Sequence, residues 1–190
     1  MNEQELIISL RQGDQQAFKQ LVHHWQHMVY NTVLGIVQDA QEAEDLAQEV
    51  FIQVYQSIAG FRNEARLSTW LYRIAVTKAL DAERRKKTKK RFAGIRAILG
   101  LEGDHDETIA NFNHPGVQLE NKEKAAVLFR AMKGLPQNQR IAFLLIKTEG
   151  LSYEATAEVM KITVKAAEAL MHRAKQNLRK ALEKYYRDTG

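Results

Sequence analysis

Aromatic and basic side chains lie close together between Thr69 and Arg91, where a helix is predicted. One stripe of that helix combines a ring with polar and basic groups, namely Trp70, Arg73, Thr77 and Arg84. An aromatic ring can stack on an unpaired base for roughly 1–3 kcal/mol, and cations neutralise phosphates. The pattern therefore indicates binding of a nucleic acid. The alternative is that Trp70 and Tyr72 are core residues and that the basic run RRKKTKKR is a solvated helix end.

The preceding segment predicts an amphipathic helix of opposite charge, capped by Asp39 and ended by Gly60. Its buried face is predicted from the apolar spacing of Ala43, Leu46, Ala47, Val50, Phe51, Val54, Tyr55 and Ile58. The opposite face carries Asp45, Gln48, Glu49, Ile52 and Gln56. An isoleucine ringed by acids and amides is typical of a docking surface for a basic partner helix. A solitary exposed isoleucine without function is the alternative.

Other kinds of chemistry find little support in the sequence. His23, His24 and His27 are close along a helix, but no carboxylate or cysteine completes a ligand set, so surface histidines are predicted. The residues DHD at 104–106 could bind a cation, although a solvated turn is favoured between glycines. The chain has no cysteine, no phosphate-binding glycine loop and no nucleophile elbow. We therefore predict no enzyme, no metal site and no cofactor.

The composition favours a polyanionic partner. The chain has 190 residues, of which 45% are hydrophobic, and a formal net charge of +5. Residues 84–91 are almost all basic, whereas residues 39–49 carry only acids among their charged side chains. No apolar run is long enough to span a bilayer, and the amino-terminal residues lack a signal-peptide core. The sequence thus predicts a cytoplasmic protein without membrane insertion.

Helix boundaries are marked along the chain, and they predict an all-α fold of two small domains. Asn2 can cap a first helix that ends at Gly13, and Asp14 can cap a second helix. Ser68 can cap the helix that contains the basic run. From about residue 87 to residue 118 the periodicity fades and glycines accumulate. This composition predicts a flexible linker with at most short helical pieces.

The second domain is predicted to begin near Leu119 and to contain a helix-turn-helix. Ser152 to Met160 forms a short helix, Lys161 to Thr163 a tight turn, and Thr163 caps a long helix that ends near Tyr186. The buried stripe of the long helix is predicted at Ala167, Leu170, Met171, Ala174, Leu178 and Ala181. Its outward face carries Lys165, Glu168, Ala169, His172 and Gln176, with Arg173 at the edge.

The start of that outward face has groups suited to reading bases in a major groove. Lys165 could reach guanine or a phosphate, Glu168 could accept from a cytosine amino group, and Ala169 could contact a thymine methyl. The turn lacks the usual glycine, so the motif is only moderately specific by itself.

Two long stretches of the chain resemble bacterial group IV sigma factors, the extracytoplasmic-function class of the sigma-70 family. DAQEAEDLAQEVFIQVYQSIAGF at 39–61 and TWLYRIAVTKALDAERRKK at 69–87 look like the central domain of that class. LPQNQRIAFLLIKTEGLSYEATAEVM at 135–160 and HRAKQNLRKAL at 172–182 are similar to its promoter-reading helix-turn-helix domain. The resemblance implies a central domain at 1–87, a linker at 88–118 and the helix-turn-helix domain at 119–190.

By this resemblance, the chain is a promoter-specificity subunit that binds core RNA polymerase and melts promoter DNA. The acidic helix would dock on the polymerase through the outward residues named above, and the second domain would read the upstream promoter element as duplex. The downstream element would be opened and held by Phe61, Arg62, Asn63, Trp70, Arg73, Thr77, Lys78, Arg84 and Arg85. Controlling anti-sigma factors are expected partners.

Two departures from the family pattern affect base choice. Thr77 replaces the asparagine that these sigma factors often carry after RIAV, and KAAEALMHRAK at 165–175 is an unusual recognition helix. The expected promoter sequences therefore cannot be transferred from other members. Two alternative functions are a stand-alone helix-turn-helix repressor and a sigma-like protein that mainly sequesters a partner.

Overall fold

The computed structural model describes residues 2–62, 65–98 and 119–189, and within these ranges the protein is all helical. The first part contains α1 (Glu3–Arg11), α2 (Gln15–Val37), α3 (Ala40–Ser57), a short 3-10 turn (Ile58–Gly60) and α4 (Leu67–Ile98). The second part contains α5 (Leu119–Lys133), α6 (Gln137–Phe143), a π-helical turn (Leu144–Thr148), α7 (Tyr153–Met160) and α8 (Val164–Thr189). The predicted all-α fold is confirmed.

The first three helices begin where their capping residues predict. The side chain of Asn2 accepts a hydrogen bond from the Glu5 backbone N–H and completes a capping box. Asp14 caps α2, and Asp39 caps α3 by accepting from the Glu42 backbone N–H at 2.9 Å. Each cap satisfies a backbone donor that has no partner inside its helix.

Helices α2, α3 and α4 pack on one another and form the core of the first domain. The apolar stripe predicted for α3 is buried at Ala43, Leu46, Val50, Phe51 and Val54, with Ile58 just beyond the helix. Tyr55 was wrongly assigned to it, because half of that residue remains exposed and its ring meets Phe18 edge-on at 5.1 Å.

The long helix α4 differs from the prediction at both ends. It begins at Leu67, so Ser68 lies inside the helix and is not its cap; the Leu67 backbone N–H instead donates to the Glu3 carboxylate at 3.1 Å. The helix continues to Ile98, beyond the linker boundary expected at residue 87. Lysine and arginine are good helix formers, so the basic run extends the helix without any apolar periodicity.

The second domain contains the predicted helix-turn-helix. Ser152 caps α7, and the Thr163 hydroxyl accepts from the Ala166 backbone N–H at 3.2 Å at the start of α8. Lys161 occupies the left-handed region with φ 54°, which is the conformation that glycine supplies in many such turns. The buried stripe of α8 ends at Leu178, and Ala181 is exposed, contrary to the prediction, because it lines an open groove beside α5 and is not covered by it.

None of the helices in the described ranges combines the length and the apolar character needed to cross a lipid bilayer.

Candidate functional site

The outward face of α3 has the composition expected of a docking surface. Ile52 is 56% exposed, although it is flanked on the same helix by buried Phe51. Asp45, Gln48 and Gln56 are exposed around it, and Glu49 is partly exposed. An apolar side chain held in water by a well-packed helix loses unfavourable hydration only when a partner covers it.

One residue of this face also contacts α4. Glu49 forms an ion pair with Lys78, with Oε2 and Nζ separated by 3.3 Å, and 45% and 28% of the two side chains are exposed. Such a pair contributes at most about 1 kcal/mol. Glu49 and Lys78 were predicted for different surfaces, and their contact shows that the predicted docking face and the basic helix are adjacent.

The two rings predicted to meet unpaired bases differ in accessibility. Phe61 is 6% exposed and its carbonyl accepts a hydrogen bond from Arg11, so it belongs to the core in this state. Trp70 is partly exposed and packs against Phe61, with ring centroids 4.9 Å apart. Of the pair, only Trp70 is accessible to solvent. The alternative that Trp70 and Tyr72 are core residues holds for Tyr72, which is 8% exposed, and not for Trp70.

The polar residues of α4 predicted to contact the melted strand follow one side of the helix. Thr77 is exposed, and its hydroxyl donates to the Arg73 carbonyl at 2.8 Å, a common arrangement for threonine inside a helix. Arg84 and Arg85 are exposed, and Arg84 pairs with Asp81 one turn earlier. Arg62 is also exposed.

Asn63, the last residue predicted for this site, lies outside the described residues.

Helix α8 presents the predicted reading face to solvent. All six predicted residues, Lys165, Glu168, Ala169, His172, Arg173 and Gln176, are exposed. The opposite side of the helix is fixed by buried Ala167, Met171 and Ala174. His172 and Gln176 form a hydrogen bond at 3.0 Å, and the Arg173 Nε donates to the Ala169 carbonyl at 3.2 Å. The first turns of this face are therefore free to enter a groove.

Polar contacts also join α4 to the second domain, and no short-range sequence pattern predicted them. The guanidinium of Arg73 contacts the Glu158 carboxylate on α7 at 3.1 Å. The Tyr72 hydroxyl donates to Glu149 at 3.0 Å. These partners are 85 and 77 residues apart in the chain, so neither helical periodicity nor local charge pattern brings them together.

The Tyr72 contact does not depend on pH in the neutral range. Burial, and then the negative charge and hydrogen bond of Glu149, raise the pKa of the Tyr72 hydroxyl well above that of a free phenol. A raised pKa means that the folded state holds the proton more tightly than the unfolded state. The contact therefore stabilises the folded state fully at any pH below the pKa of an unfolded tyrosine. This stabilisation is lost only as the pH rises above that value and through the raised pKa of the folded state.

The histidines predicted to be surface residues are confirmed as such, because His23, His24 and His27 are all exposed. Among the described residues, no three histidine or carboxylate side chains come close enough to hold a metal ion. The cluster at 104–106 lies outside the described residues.

Two regions of the chain match known families. Residues 21–89 match Sigma-70 region 2, and residues 118–178 match Sigma-70, region 4. The RNA polymerase sigma-H factor of Pseudomonas aeruginosa is 34% identical over 98% of this chain and 96% of its own length. The ECF RNA polymerase sigma-E factor of Escherichia coli K12 is 30% identical over 93% of this chain and 92% of its own length.

The chain belongs to the extracytoplasmic-function sigma factors of the sigma-70 family. It is a promoter-specificity subunit for transcription initiation, as predicted from the resemblance.

Solved structures agree with this fold. CnrH in complex with the cytosolic domain of CnrY aligns with a TM-score of 0.70 at 20% identity, covering 96% of this sigma factor and 97% of that chain. The sigma factor RpoE from Bartonella quintana, in complex with the anti-sigma factor NepR, aligns with a TM-score of 0.66 at 22% identity, covering 87% and 96%. The helical arrangement described above is therefore shared with CnrH and with RpoE.

Proposed function

We propose that this sigma factor binds core RNA polymerase and promoter DNA through three separate surfaces. The outward face of α3 docks on core RNA polymerase through Asp45, Gln48, Glu49, Ile52 and Gln56. Helix α4 and the loop before it melt and hold the downstream promoter element, and the outward face of α8 reads the upstream element in the major groove. We place the central domain at 1–87, the linker at 88–118 and the reading domain at 119–190. The first part of this linker continues α4 to Ile98.

The chemistry at these surfaces is binding without catalysis, so we infer that the protein is not an enzyme and needs no cofactor. Melting costs a few kcal/mol per unstacked base, and this cost is offset by stacking in a protein pocket and by neutralisation of phosphates. Exposed Arg84 and Arg85 supply charge on the same helix as the partly exposed Trp70, about four turns further on. We further propose that the protein acts in the cytoplasm, where it meets RNA polymerase and promoter DNA.

An anti-sigma factor is a proposed further partner. The two solved structures named above, of CnrH and of RpoE, each contain a second protein, and in the second structure it is the anti-sigma factor NepR. Their helical arrangement is similar to that of this chain over most of its length.

Exposed Ile52 is the observation that carries the docking proposal. Ile52 is 56% exposed at the centre of a face of acids and amides, so a partner that covers it would remove a large apolar surface from water. Glu49 is a less clean probe, because its carboxylate already pairs with Lys78 and a substitution would disturb both surfaces.

The first prediction uses Ile52→Glu and its matched control, Ile8→Glu. Ile8 lies on α1 and is 55% exposed, so the two substitutions add the same charge at equally exposed positions. We expect Ile52→Glu to weaken binding to core polymerase by at least tenfold, because it places an unpaired charge in an apolar contact, which costs about 2 kcal/mol or more. Ile8→Glu should bind as the parent does. Fluorescence titration of labelled protein with core polymerase measures both affinities.

Transcription in vitro with core polymerase and genomic DNA then tests the function as a whole. Mapped start sites that require this protein, and that disappear with Ile52→Glu, support the proposal. Equal polymerase affinity for the two variants would show that Ile52 has no docking role, even if transcription is observed.

A further inference from the structure

The loop that precedes α4 is held at both of its ends by α1, the first helix of the chain. At one end, the carbonyl of Phe61 accepts a hydrogen bond from the guanidinium of Arg11, in the last turn of α1. At the other end, the backbone N–H of Leu67 donates to the Glu3 carboxylate at 3.1 Å. The partners are 50 and 64 residues apart in sequence, so tertiary packing brings them together.

Helix α1 is itself fixed well enough to support the loop. Leu6, Ile7 and Leu10 are buried and belong to the hydrophobic core. A capping box closes the amino-terminal end of the helix. Glu3 and Arg11 lie in its first and last turns, eight residues apart, which separates them by about 12 Å along the helix axis. Two points of a rigid helix therefore contact the two ends of one loop.

The Glu3 carboxylate supplies an anion that the start of α4 does not have in its own sequence. The first turn of α4 contains no acidic residue. The first backbone N–H groups of a helix have no partner inside it, and the partial positive charge at this end attracts a carboxylate. Glu3 binds the N–H of Leu67, and Trp70 follows within one turn. The start of the helix that carries Trp70 therefore depends on a residue of α1.

The Arg11 contact acts on the other ring of the same aromatic pair. Phe61 is buried, and its ring packs against the partly exposed ring of Trp70, with centroids 4.9 Å apart. A hydrogen bond from a charged guanidinium is stronger than one between neutral groups. Because this bond fixes the Phe61 backbone, it also restricts where the Phe61 ring can lie beside Trp70.

We propose that Glu3 and Arg11 are positioning residues for promoter melting, because their contacts hold Phe61 and Trp70 in the arrangement that receives an unpaired base. The inference rests on the proposed role of α4 and the loop before it in holding the melted downstream element. Glu3 and Arg11 act through backbone groups and need not touch DNA. Holding the loop in place before DNA binds lowers the entropy cost of ordering it on binding.

A positioning role can be separated from a role in folding. Glu3 and Arg11 are both exposed residues, and polar contacts at a surface contribute little to global stability because water competes for both groups. Removing either contact should therefore free one end of the loop while the buried residues of α1 remain packed.

The test compares Glu3→Ala with Glu5→Ala, two deletions of a carboxylate from the first turn of α1. Glu5 completes the capping box with Asn2, so its loss weakens α1 without removing the contact to α4. Glu3→Gln is the conservative variant, because its amide oxygen can still accept from the Leu67 N–H. Arg11→Met removes the other contact and keeps an unbranched side chain. Urea denaturation checks that each variant remains folded.

The environment of Trp70 is measured by its fluorescence in a Trp25→Phe background. The chain has two tryptophans, so this substitution leaves Trp70 as the reporter. We expect a red-shifted emission and stronger quenching by acrylamide in Glu3→Ala and Arg11→Met than in the parent. Glu5→Ala and Glu3→Gln should behave as the parent does. Equal quenching in Glu3→Ala and Glu5→Ala would overturn the positioning of the rings by Glu3.

Promoter opening is measured by permanganate footprinting with core polymerase on a duplex promoter and on the same template mismatched at the downstream element. We expect Glu3→Ala and Arg11→Met to lower opening of the duplex by roughly threefold to tenfold, the cost of ordering a side chain on binding. The mismatched template should lose less, and Glu3→Gln should restore opening. An equal loss on both templates would overturn the inference, because it would indicate a general defect.

The outcomes also distinguish this inference from the proposed function. A parent protein that opens no promoter would overturn the melting role, and the inference would fail with it. A parent that opens promoters no better than Glu3→Ala and Arg11→Met would leave the melting role intact and overturn only the positioning role.

Discussion

At the scale of single residues, Phe61 and Trp70 are packed together but differ in their exposure to solvent, and therefore in whether they could contact DNA. Phe61 is almost fully buried, whereas Trp70 is partly exposed on the stripe that contains Arg73 and Thr77. Their ring centroids lie 4.9 Å apart, so Phe61 supports the position of Trp70. A buried ring can serve DNA melting only indirectly, through the residue it supports.

We therefore predict different behaviour for Trp70→Ala and Phe61→Ala. Trp70→Ala should reduce open-complex formation on duplex promoters much more than on a template already mismatched at the downstream element, because the ring stabilises unpaired bases. Phe61→Ala should lower the free energy of unfolding by about 3 kcal/mol and impair both templates. Permanganate footprinting and chemical denaturation measure the two effects. Equal defects of Trp70→Ala on both templates would show that Trp70 has only a core role.

The residue scale also shows what the sequence could predict. Exposure of Ile52 followed from helical period, because it lies opposite a stripe of five buried residues. The same period placed Tyr55 in the core, but a ring at the edge of the stripe can turn outward and meet Phe18. Ser68 has the chemistry of a cap, yet the carboxylate of Glu3, distant in sequence, binds the first backbone N–H of α4. Local helix propensity could not show that a residue distant in sequence would replace Ser68 as the acceptor at the start of α4.

At the scale of elements, the proposed reading face of α8 has side chains that hydrogen-bond within their own helix. Glu168 is exposed near its start, where a carboxylate would be repelled by phosphates unless it accepts from a base. Arg173 lies one turn further on and bonds to the backbone of its own helix through Nε, which leaves the remaining guanidinium donors for phosphate.

We predict that Glu168→Ala changes the preference at one or two upstream base pairs, by roughly 1–3 kcal/mol each if the contact is direct. Arg173→Ala should instead weaken all upstream sequences alike and reduce the salt dependence of binding, as the loss of a phosphate contact does. Transcription from a promoter-variant library at two salt concentrations distinguishes the two. An unchanged base preference for Glu168→Ala would mean that its carboxylate is only a solvated charge.

Element boundaries were predicted where capping chemistry marks them and missed where it does not. Asp14, Asp39, Ser152 and Thr163 each accept the backbone hydrogen bond that their positions predict. Helix α4 has no such end signal in its basic run, and its continuation to Ile98 was not predicted. Thr69, Tyr72, Val76 and Ala79 form a second buried stripe on α4. It was also missed, since Thr69, Val76 and Ala79 give a weak apolar signal beside the stronger core stripe.

At the scale of the whole molecule, the contact between Arg140 and Glu83 differs from the other ion pairs at the surface. Only 8% of the Arg140 side chain and 17% of the Glu83 side chain are exposed, and the Arg140 Nε is buried without a hydrogen-bond partner. A charge that is buried in this way needs its partner, because an unpaired buried charge raises the free energy of the folded state. The pair therefore couples the stability of the second domain to α4.

The final prediction compares Glu83→Ala with Asp81→Ala, two carboxylate deletions on the same helix. Glu83→Ala should lower the free energy of unfolding by about 1–3 kcal/mol and enlarge the radius of gyration, because Arg140 loses its partner and becomes solvated as the domains separate. Asp81→Ala should change stability by less than about 1 kcal/mol, since the Arg84–Asp81 pair is mostly exposed. Urea denaturation and small-angle X-ray scattering measure both quantities.

A double-mutant cycle with Arg140→Met attributes the effect to the pair itself. Glu83→Ala is expected to lower the free energy of unfolding because it leaves the Arg140 guanidinium unpaired. Replacing Arg140 with an apolar side chain of similar length should then recover part of that free energy. Recovery with a persistently enlarged radius would show that the pair also holds the domains closed. Additive losses in the double variant would contradict the coupling, because they would mean that Glu83 and Arg140 stabilise the protein through separate contacts.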